Sequence, residues 1–487
     1  SSRGYRVLLV EQHDFAKATS SRSTKLVHGG VRYLQQGDVS MVVEALHERG
    51  RLWRNAPHLV KDMRFIIGNY RWWERPFYTI GLCCYDLLAG RLGLGRSLPL
   101  SKKQTLKELP GLLHDHLRGG VVYHDGQFDD SRMAITLMQS AHDHGAICIN
   151  YMKVTSLIKN DSGKICGAAL EDTLEGGTYE VNVKGVVNAT GVYVDDIMQM
   201  DKPESRKKVR PSQGVHIVVD AAFLGGNSAL MIPKTRDGRV LFGVPWHGKA
   251  VLGTTDTPLN ENSLEPKPLD EEIDFILDQA GQYLTRKPKR SDVLSVFAGL
   301  RPLAAPTHSD SKKTKEISRN HKIYVSDSGM LTITGGKWTT YRQMAEEAVN
   351  KVAALIGLEP RACVTRKMQL HGYWEEVDRS VWDYVYGSDA DQIAALIEND
   401  ASLGELLHIG YTFRVAHVIW AVREEMAQTV EDVLARRVRA LFMDARAAME
   451  MAPRVAAIMA PGMGKDKKWE TEQVKNFTNL AKNYILA

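Results

Sequence analysis

A short apolar run near the start of the chain, which ends in an acidic residue, restricts the fold more than any other feature. Val7 to Val10 are valine and leucine, and Glu11 follows them directly. Such a run is typical of a strand buried in a parallel sheet, which predicts an α/β fold. In a dinucleotide-binding βαβ unit, the second strand ends in an acid that binds the ribose hydroxyls. Glu11 fits this position, but any parallel strand that ends in an acid also fits, and both interpretations stay open.

The next segment is rich in groups that bind anions. Thr19 to Leu34 read TSSRSTKLVHGGVRYL and combine hydroxyls, cations and the pair Gly29-Gly30. Such a loop can wrap a polyanionic cofactor, and paired glycines let the backbone approach a flat ring closely. The alternative is an ordinary solvated turn. Apolar residues at helical spacing from Ser40 to Leu52 predict an amphipathic helix directly after the loop.

The remaining strand signals predict two kinds of sheet. Val186 to Ala189 predict a strand that leads into Gly191, which is typical of the edge where an α/β sheet opens onto its ligand. Short strands divided by glycine, proline and aspartate, in residues 55–126 and 210–301, favour antiparallel pairing. We therefore expect an antiparallel sheet domain inserted between parts of a parallel one. Further along, Gly335-Gly336 precede a helix whose N-terminus is suited to an anion or a carbonyl oxygen.

Beyond residue 359 the chain becomes helical and charged. An apolar face continues from Val430 to Met449, while Arg436, Arg437, Arg439 and Arg446 lie at other positions of this stretch. The pattern favours a docked helical domain with a solvated basic rim. The alternative is a basic surface that contacts a membrane or a partner.

Composition narrows the range of functions. The 487 residues are 44% hydrophobic and 25% charged, values typical of folded globular proteins, which excludes a largely disordered chain. Lysine and arginine number 63 against 58 aspartates and glutamates, a net charge of +5. This mild excess suits an anionic small substrate or an anionic membrane surface better than a nucleic acid. The five scattered cysteines predict neither a disulfide framework nor a metal site, so we expect a reducing, cytoplasmic compartment.

Five motifs, in order along the chain, resemble the signature of the flavin-dependent glycerol-3-phosphate dehydrogenases. The first is the segment from Thr19 to Leu34, and the others are NATG (188–191), GTTD (253–256), GLRPL (299–303) and GGKWTTYR (335–342). Residues 421–437, AVREEMAQTVEDVLARR, are similar to the helical cap domain of that family. The resemblance covers essentially the whole chain, and five spaced motifs are far more specific than one glycine loop. After NATG the chain departs from the family, since Val192-Tyr193 stand where proline and tryptophan are usual.

The resemblance implies a fold of class α/β plus α, with three domains. The first is a glutathione-reductase-like FAD-binding domain of the D-amino-acid-oxidase type, formed by residues 1–55, 126–200 and 320–358. The second is an inserted antiparallel-sheet substrate domain, formed by residues 56–125 and 201–319. The third is a C-terminal helical domain, residues 359–487. The family's G-x-G-x-x-G loop is not found in this sequence. We therefore expect a native member to begin roughly 20 residues upstream of Ser1, with the first strand and the glycine loop of the βαβ unit.

The resemblance also implies a reaction, the oxidation of sn-glycerol 3-phosphate to dihydroxyacetone phosphate with FAD as hydride acceptor. Arginine suits the dianionic phosphate because its planar guanidinium binds in a fixed geometry. The matching positions for substrate binding are Arg32, Tyr33, Arg319 and Asp256, but Asp256 could instead orient a cation or cap a turn. The candidate catalytic residues are His28, Arg301 and Lys337. His28 would accept the alcohol proton or, alternatively, support the cofactor by a hydrogen bond.

For FAD the resemblance implies contacts along the whole molecule. Glu11 would bind the ribose, Thr19 to Ser21 the pyrophosphate side, Lys25 and Leu26 the approach to the ring, and Val154 the adenine. The full set is Glu11, Thr19, Ser20, Ser21, Lys25, Leu26, Val154, Ala189, Gly191, Gly336, Trp338 and Thr339. Most of these would act through backbone groups.

Partners and compartment follow from the same resemblance. The flavin would pass its electrons to a quinone, or to oxygen in a sister oxidase; a third reading, raised by the absent loop, is an FAD-free remnant with a binding role. We expect a homodimer without bound metal or nucleic acid. No apolar run predicts a transmembrane helix, so any membrane contact would be peripheral, on the cytoplasmic face of the inner membrane.

Overall fold

The computed structural model describes residues 1–35, 37–304 and 321–486. The strands of the described residues are β1 (Leu8–Val10), β2 (Leu26–Val27), β3 (Val60–Asn69), β4 (Leu98–Ser101), β5 (Gly119–Phe128), β6 (Ile147–Ile149), β7 (Met152–Lys159), β8 (Ile165–Asp172), β9 (Thr178–Asn182), β10 (Val187–Asn188), β11 (Val209–Asp220), β12 (Ala229–Ile232), β13 (Leu241–Trp246), β14 (Lys249–Gly253), β15 (Thr257–Pro258), β16 (Ser295–Ala304), β17 (Lys322–Val325) and β18 (Leu331–Thr334). The helices are α1 (Val31–Gln35), α2 (Val39–Asn55), α3 (Glu74–Ala89), α4 (Lys102–Glu108), α5 (Asp130–Asp143), α6 (Val194–Asp201), α7 (Asp270–Gly281), α8 (Tyr341–Leu355), α9 (Ala390–Asn399), α10 (Val415–Glu424), α11 (Ala440–Met443), α12 (Ala445–Gly462) and α13 (Lys467–Ala481).

Two small sheets contain the parallel strands predicted for a nucleotide-binding domain. β1 pairs in parallel with β6, and the Glu11 amide donates to the Ile149 carbonyl at 2.9 Å. β10 pairs in parallel with β18, which pairs with β17 in antiparallel orientation. The strand that ends in Glu11 is therefore parallel, as predicted, but it is not buried, since Leu8 and Leu9 are 37% and 41% exposed. β6 is its only pairing partner among the described residues, so its apolar side chains have little cover.

The largest of the four sheets in the described residues confirms the predicted antiparallel domain. Its strands follow the order β15-β11-β14-β13-β12-β3-β5-β2, with β16 beside β11 and β4 beside β5. β12 and β3 are parallel, whereas the other neighbours are antiparallel. β2 lies inside the segment Thr19 to Leu34 and pairs with the end of β5, so this segment is attached directly to the sheet. The exact domain boundaries stay a prediction.

The C-terminal region is helical, as predicted, and shares its core with the large sheet. One apolar cluster joins α10, α11 and α12 to Val27, Phe128, Val218 and Phe297, which come from β2, β5, β11 and β16. Burial of this shared apolar surface is the main attraction that holds the helices on the sheet. The C-terminal helices therefore support the strands that carry the candidate site.

Three arginines between Val430 and Met449 are buried, which the charge pattern did not predict, whereas Arg446 in the same stretch is exposed. Between Val430 and Met449 the chain forms a π-helical turn, α11 and the start of α12, and Arg439 takes a left-handed conformation with φ 66°. Arg436, Arg437 and Arg439 are buried, and Arg437 pairs with Asp14 at 2.6 Å. Buried charges persist only when paired. The predicted solvated basic rim is wrong at these three positions, and their burial also excludes them as a membrane contact.

Candidate active site

A cavity of about 300 Å³ forms where the segment Thr19 to Leu34, the large sheet and the segment after β18 meet. Four of the five motifs line it, the exception being NATG. The predicted site residues that line the cavity are Thr19, Leu26, His28, Tyr33, Asp256, Arg301, Gly336, Lys337, Trp338 and Thr339. Residues more than 300 positions apart in the sequence therefore border one space.

Arg301 enters the cavity wall from β16, where it lies opposite Ser212 of β11. Its Nη2 donates to the Thr254 hydroxyl at 3.1 Å and to the Thr255 carbonyl at 3.0 Å, and its Nη1 lies 3.4 Å from Asp256 Oδ1. A Cβ at Gly214 would lie only 2.3 Å from Arg301 Nη2, so a larger residue there would displace the guanidinium. The GTTD motif thus fixes the orientation of the arginine in GLRPL.

His28 lies in a loop whose main chain is held from two sides. The His28 amide donates to Thr339 Oγ1 at 3.2 Å, and the Thr339 hydroxyl lies 3.3 Å from the His28 carbonyl. The next amide, that of Gly29, donates to Asp125 Oδ1 at 3.3 Å. The loop is therefore tied to the segment after β18 and to β5.

Lys337 and Tyr33 lie next to each other in the cavity wall. The Lys337 ammonium lies 4.2 Å from the centre of the Tyr33 ring, within the range of a cation–π interaction. Gly30 allows this approach: its φ is +77°, and a Cβ there would lie 2.5 Å from the Tyr33 ring. The HGG and GGK motifs therefore bring a cation and a tyrosine together.

The turn Thr19–Ser21 connects the cavity to two other segments. The Thr19 hydroxyl donates to the Leu300 carbonyl at 2.7 Å, and the Trp338 indole N–H donates to the Ser20 carbonyl at 3.0 Å. Ser21 is buried, and its carbonyl accepts from Lys25 Nζ at 2.7 Å. Ser20 and Ser21 therefore lie beside the cavity without lining it.

Lys25 lies in the core below this loop and does not line the cavity. It is fully buried and pairs with Asp130 at 2.8 Å, and its Nζ lies 5.0 to 5.3 Å from the ring centres of Trp246, Phe297 and Phe442. Burial lowers the pKa of Lys25 to about 8, although Asp130 opposes that change. Its side chain therefore holds the loop, and any contact with a cofactor would come from its backbone.

The remaining residues assigned to FAD lie outside the cavity. Glu11 follows β1, and Ala189 and Gly191 follow β10, in each case at the carboxyl end of a parallel strand. Val154 lies on β7 opposite Leu170. Ligands of doubly wound folds bind outside these strand ends, and FAD is long enough to extend beyond a single cavity.

These strand ends fit a dinucleotide chemically. The Glu11 carboxylate can accept ribose hydroxyl hydrogen bonds, and burial raises the pKa of Glu11. Gly191 has φ +60°, and no atom lies within 4 Å of the place where a Cβ would stand, which leaves room for a ligand beside the backbone. Gly335 and Gly336, after β18, also have positive φ. The acceptor Glu11 and the open backbone of this region fit FAD.

Two predicted substrate residues cannot be placed by their side chains. Arg32 lies on the short helix α1. Arg319 lies outside the described residues. Both assignments to the substrate phosphate stay predictions.

His216 is a cavity residue that sequence reasoning missed. It lies on β11, stacks on Phe297 with ring centres 5.0 Å apart, and its Nε2 lies 2.9 Å from the Thr24 hydroxyl oxygen. Burial, together with the charges of Lys25 and Arg301, holds the pKa of His216 well below 6.5, so the imidazole is neutral near pH 7. A polar residue within the apolar strand GVHIVVD was the available signal.

Asp125 is a second missed residue of the cavity wall. It lies on β5, is 2% exposed and accepts hydrogen bonds from Gly29, Arg49 and Tyr85. Its partners come from three other segments, so no local pattern in the sequence indicated it.

The fold and the cavity define a flavoprotein oxidoreductase, and the comparisons agree. Residues 1–342 match the family model described as FAD dependent oxidoreductase, and residues 330–470 match the C-terminal domain of alpha-glycerophosphate oxidase. The structure is similar to that of the glycerol-3-phosphate dehydrogenase from Bacillus halodurans complexed with FAD. The TM-score is 0.80 and the identity 29%, across 99% of this chain and 91% of that one.

Two relatives identify the family within this class of oxidoreductases. The chain is 38% identical to a probable mitochondrial glycerol-3-phosphate dehydrogenase of Caenorhabditis elegans, across 98% of this chain and 70% of that protein. It is 39% identical to a mitochondrial glycerol-3-phosphate dehydrogenase of Arabidopsis thaliana, across 99% of this chain and 82% of that protein. The chain belongs to the FAD-dependent glycerol-3-phosphate dehydrogenase family.

Proposed function

We propose that this chain oxidises sn-glycerol 3-phosphate to dihydroxyacetone phosphate. The proposal depends on one observation: His28, Arg301 and Lys337 come from three distant segments and border the same cavity. The relatives named glycerol-3-phosphate dehydrogenase support this substrate. When bound, FAD supplies the hydride acceptor.

The cations of the cavity bind and polarise the anionic substrate. Arg301 is oriented by Thr254, Thr255 and Asp256 before any ligand arrives, so little reorganisation is needed when substrate binds. We assign Arg301 and Lys337 to the negative charge that develops on the substrate oxygen as its proton leaves. Arg32, Tyr33 and Arg319 are assigned to the phosphate through the family motifs.

Two histidines can accept the alcohol proton. His28 and His216 both line the cavity, and His216 is neutral near pH 7, but the burial and nearby cations that lower its pKa also make it a weak base. A neutral imidazole is able to accept a proton. Measuring kcat against pH for His28→Gln and His216→Gln separates them, because loss of the proton acceptor removes the acid limb of the profile as well as most of the rate.

We propose a quinone as the electron acceptor, with peripheral membrane contact. In the described part of the chain, no helix is long and apolar enough to cross a bilayer. A lipid-soluble acceptor is reached at the bilayer, and we propose that the protein attaches there from one side. Homodimer formation and the cytoplasmic compartment stay predictions.

The surface of α3 supports this attachment. Its inner face, Leu82, Tyr85 and Ala89, is buried, whereas apolar side chains cover its outer face and the adjoining turns. The most exposed of them are Trp72 (77%), Phe77, Ile80 and Leu87 (79%). Exposed aromatic and aliphatic residues on one helical face are typical of helices that lie in a membrane interface.

The charges around this surface favour an anionic bilayer. The exposed arginines Arg71, Arg75, Arg91 and Arg96 border the apolar residues. The acids nearby have local partners: Glu74 accepts the Arg71 amide at 3.0 Å, and Asp86 accepts the Ser97 amide at 2.6 Å. Each basic residue near an anionic surface contributes about 1 kcal/mol of attraction. We therefore assign the outer face of α3 to an anionic lipid surface.

The decisive experiment measures flavin and turnover together. The purified chain, loaded with FAD, is assayed without oxygen for reduction of a water-soluble quinone analogue that depends on glycerol 3-phosphate. Turnover that is lost in Arg301→Ala supports the proposal. Turnover only with oxygen, with release of peroxide, would instead make the chain an oxidase. Failure of the chain to retain FAD would favour a binding role without redox chemistry.

A further inference from the structure

A buried carboxylate without an assigned role lies directly behind the His28 loop. Asp125 Oδ1 accepts from Arg49 Nη1 at 2.8 Å and from the amides of Gly29 and Gly126 at 3.3 Å. Its Oδ2 accepts from the Tyr85 hydroxyl at 2.8 Å. Asp125, Arg49 and Tyr85 are all buried.

This cluster is expensive to bury, and both oxygens of its carboxylate accept hydrogen bonds. A buried carboxylate costs several kcal/mol unless a cation and further donors compensate it. Arg49 supplies the charge from α2, and its Nη1 also donates to the His124 carbonyl at 3.2 Å. Tyr85 supplies the second donor from α3, and burial raises the pKa of Tyr85 well above 10, so the hydroxyl keeps its proton. A charge held by three segments fixes one orientation of the Asp125 side chain.

Asp125 holds the main chain of the His28 loop, which borders the candidate active site. A Cβ at Gly29 would lie 2.4 Å from the Tyr85 hydroxyl and 2.4 Å from Leu46, so the loop packs directly against the cluster. The preceding residue, His28, is bonded on its other side by Thr339. Gly29 is thus held by Asp125 of β5, and its neighbour His28 is held by Thr339 of the segment after β18. The two contacts lie on opposite sides of the loop.

We propose that Asp125, oriented by Tyr85 and Arg49, is a positioning residue that sets the His28–Gly30 loop for substrate. It acts through the Gly29 amide and does not need to touch the reacting atoms. The loop carries His28 and leads into Tyr33, so its displacement alters the geometry of both. Small displacements of such groups are costly, since about 1 Å of misplacement can lower a rate about 100-fold.

Tyr85→Phe is the sharpest test, because it removes one hydrogen bond to Asp125 without changing any charge. Asp125→Asn alone would leave Arg49 buried without its partner, which can prevent folding. The double change Asp125→Asn with Arg49→Gln removes both charges together and serves as the second variant. Tyr411→Phe is the matched control, since the Tyr411 hydroxyl also donates to an aspartate, Asp444, at 3.1 Å, but in the C-terminal domain.

The first readout is amide hydrogen exchange, which needs neither FAD nor turnover. In Tyr85→Phe we expect exchange at least about 10-fold faster in residues 26–34, with the rest of the chain unchanged. Tyr411→Phe is expected to leave this segment at the wild-type rate. Unchanged exchange in both Tyr85→Phe and the double variant would overturn the proposal.

The second readout is turnover per bound flavin, and it rests on the proposed function. In Tyr85→Phe we expect kcat to fall about 10-fold with KM changed less than about 2-fold, because the geometry of the reaction is altered more than substrate binding. Faster exchange with unchanged kcat and KM would overturn the role in the active site. If the wild-type chain does not oxidise glycerol 3-phosphate, the proposed function fails, whereas the exchange experiment still decides whether Asp125 holds the loop.

Discussion

Thr339 bonds to the main chain of His28 in both directions. Its hydroxyl oxygen accepts the His28 amide at 3.2 Å and lies 3.3 Å from the His28 carbonyl, to which it donates. The two residues are 311 positions apart in the sequence. One hydroxyl therefore joins the HGG motif to the GGKWTTYR motif at the wall of the cavity.

We expect Thr339→Val to loosen this junction. The change keeps the shape of the side chain but removes the hydroxyl, which costs about 1 kcal/mol of stability. We also expect kcat/KM for glycerol 3-phosphate to fall about 10-fold. Thr339→Ser, which keeps the hydroxyl, is the control, and urea unfolding and steady-state kinetics provide the measurements. Equal behaviour of the Val and Ser variants would contradict this role.

Replacing Arg301 is expected to separate cofactor binding from turnover. Arg301→Ala removes a cation that stabilises developing negative charge, a loss worth about 100-fold or more in kcat. FAD content, measured from the visible absorption of the flavin, should stay at the wild-type level. Arg301→Lys keeps the charge but not the bonds to both Thr254 and Thr255, so intermediate turnover is expected. Normal turnover in the Ala variant would remove Arg301 from the site.

Charge on the outer face of α3 should prevent lipid binding. We expect Phe77→Glu combined with Ile80→Glu to lower binding to vesicles of phosphatidylcholine and phosphatidylglycerol at least about 10-fold, since these side chains leave the apolar interface. Ile409→Glu is the control, because Ile409 is 95% exposed but lies in the C-terminal region. Co-sedimentation measures binding, and added salt should weaken it in the wild type. Equal binding by the α3 variant and the control would exclude this surface.

The stability of the chain should fall above neutral pH because of His371. Its imidazole lies 2.9 Å from Asp389 and 2.7 Å from Asp143 at the end of α5, and these carboxylates raise the pKa of His371 to about 9. The unfolded value is about 6.5, so the stabilisation is complete below about pH 6.5 and is lost as the pH rises through about 9.

The size of this effect is limited by solvent. The His371 side chain is 26% exposed, and screening by water reduces the expected loss to about 1 kcal/mol. Urea unfolding near neutral pH and above pH 9 should therefore show a larger decrease for wild type than for His371→Gln. Identical decreases would show that the ion pairs contribute nothing.

Lys25 is expected to matter for stability. Lys25→Met leaves the buried Asp130 with Arg439 as its remaining ionic partner, and losing one partner of a buried pair costs about 3 kcal/mol. Lys467→Met provides the contrast, because Lys467 pairs with Glu470 at the surface and its loss should cost less than about 1 kcal/mol. Similar unfolding midpoints for the two variants would contradict the buried role.

Local patterns predicted the elements well, and motifs predicted much of the cavity. Three features depend only on neighbouring residues, so the sequence alone predicted them. They are the strand before Glu11, the helix after Gly29-Gly30 and the antiparallel strands of the large sheet. Residues such as Arg301 and Lys337 were found through motif order. Their shared cavity follows from sheet pairing between distant strands, which no local pattern contains.

The misses have a common physical cause. The charge pattern cannot show whether an arginine meets water or a distant acid, so Arg436 and Arg437 were predicted to be solvated. Asp125 and His216 acquire their environments from partners on other segments, and their roles are invisible without the fold. Burial of the strand before Glu11 was also mispredicted, because cover depends on neighbouring elements and not on the strand itself.

The pairing of Asp14 with Arg436 and Arg437 affects how the chain is made. Asp14 leaves the ribosome early, whereas its partners lie 422 and 423 positions later. Until translation has passed them, this carboxylate stays in water and the region around it cannot close. Contacts of such long range slow folding and expose intermediates to aggregation. The region around Asp14 is therefore completed late, although it is synthesised early.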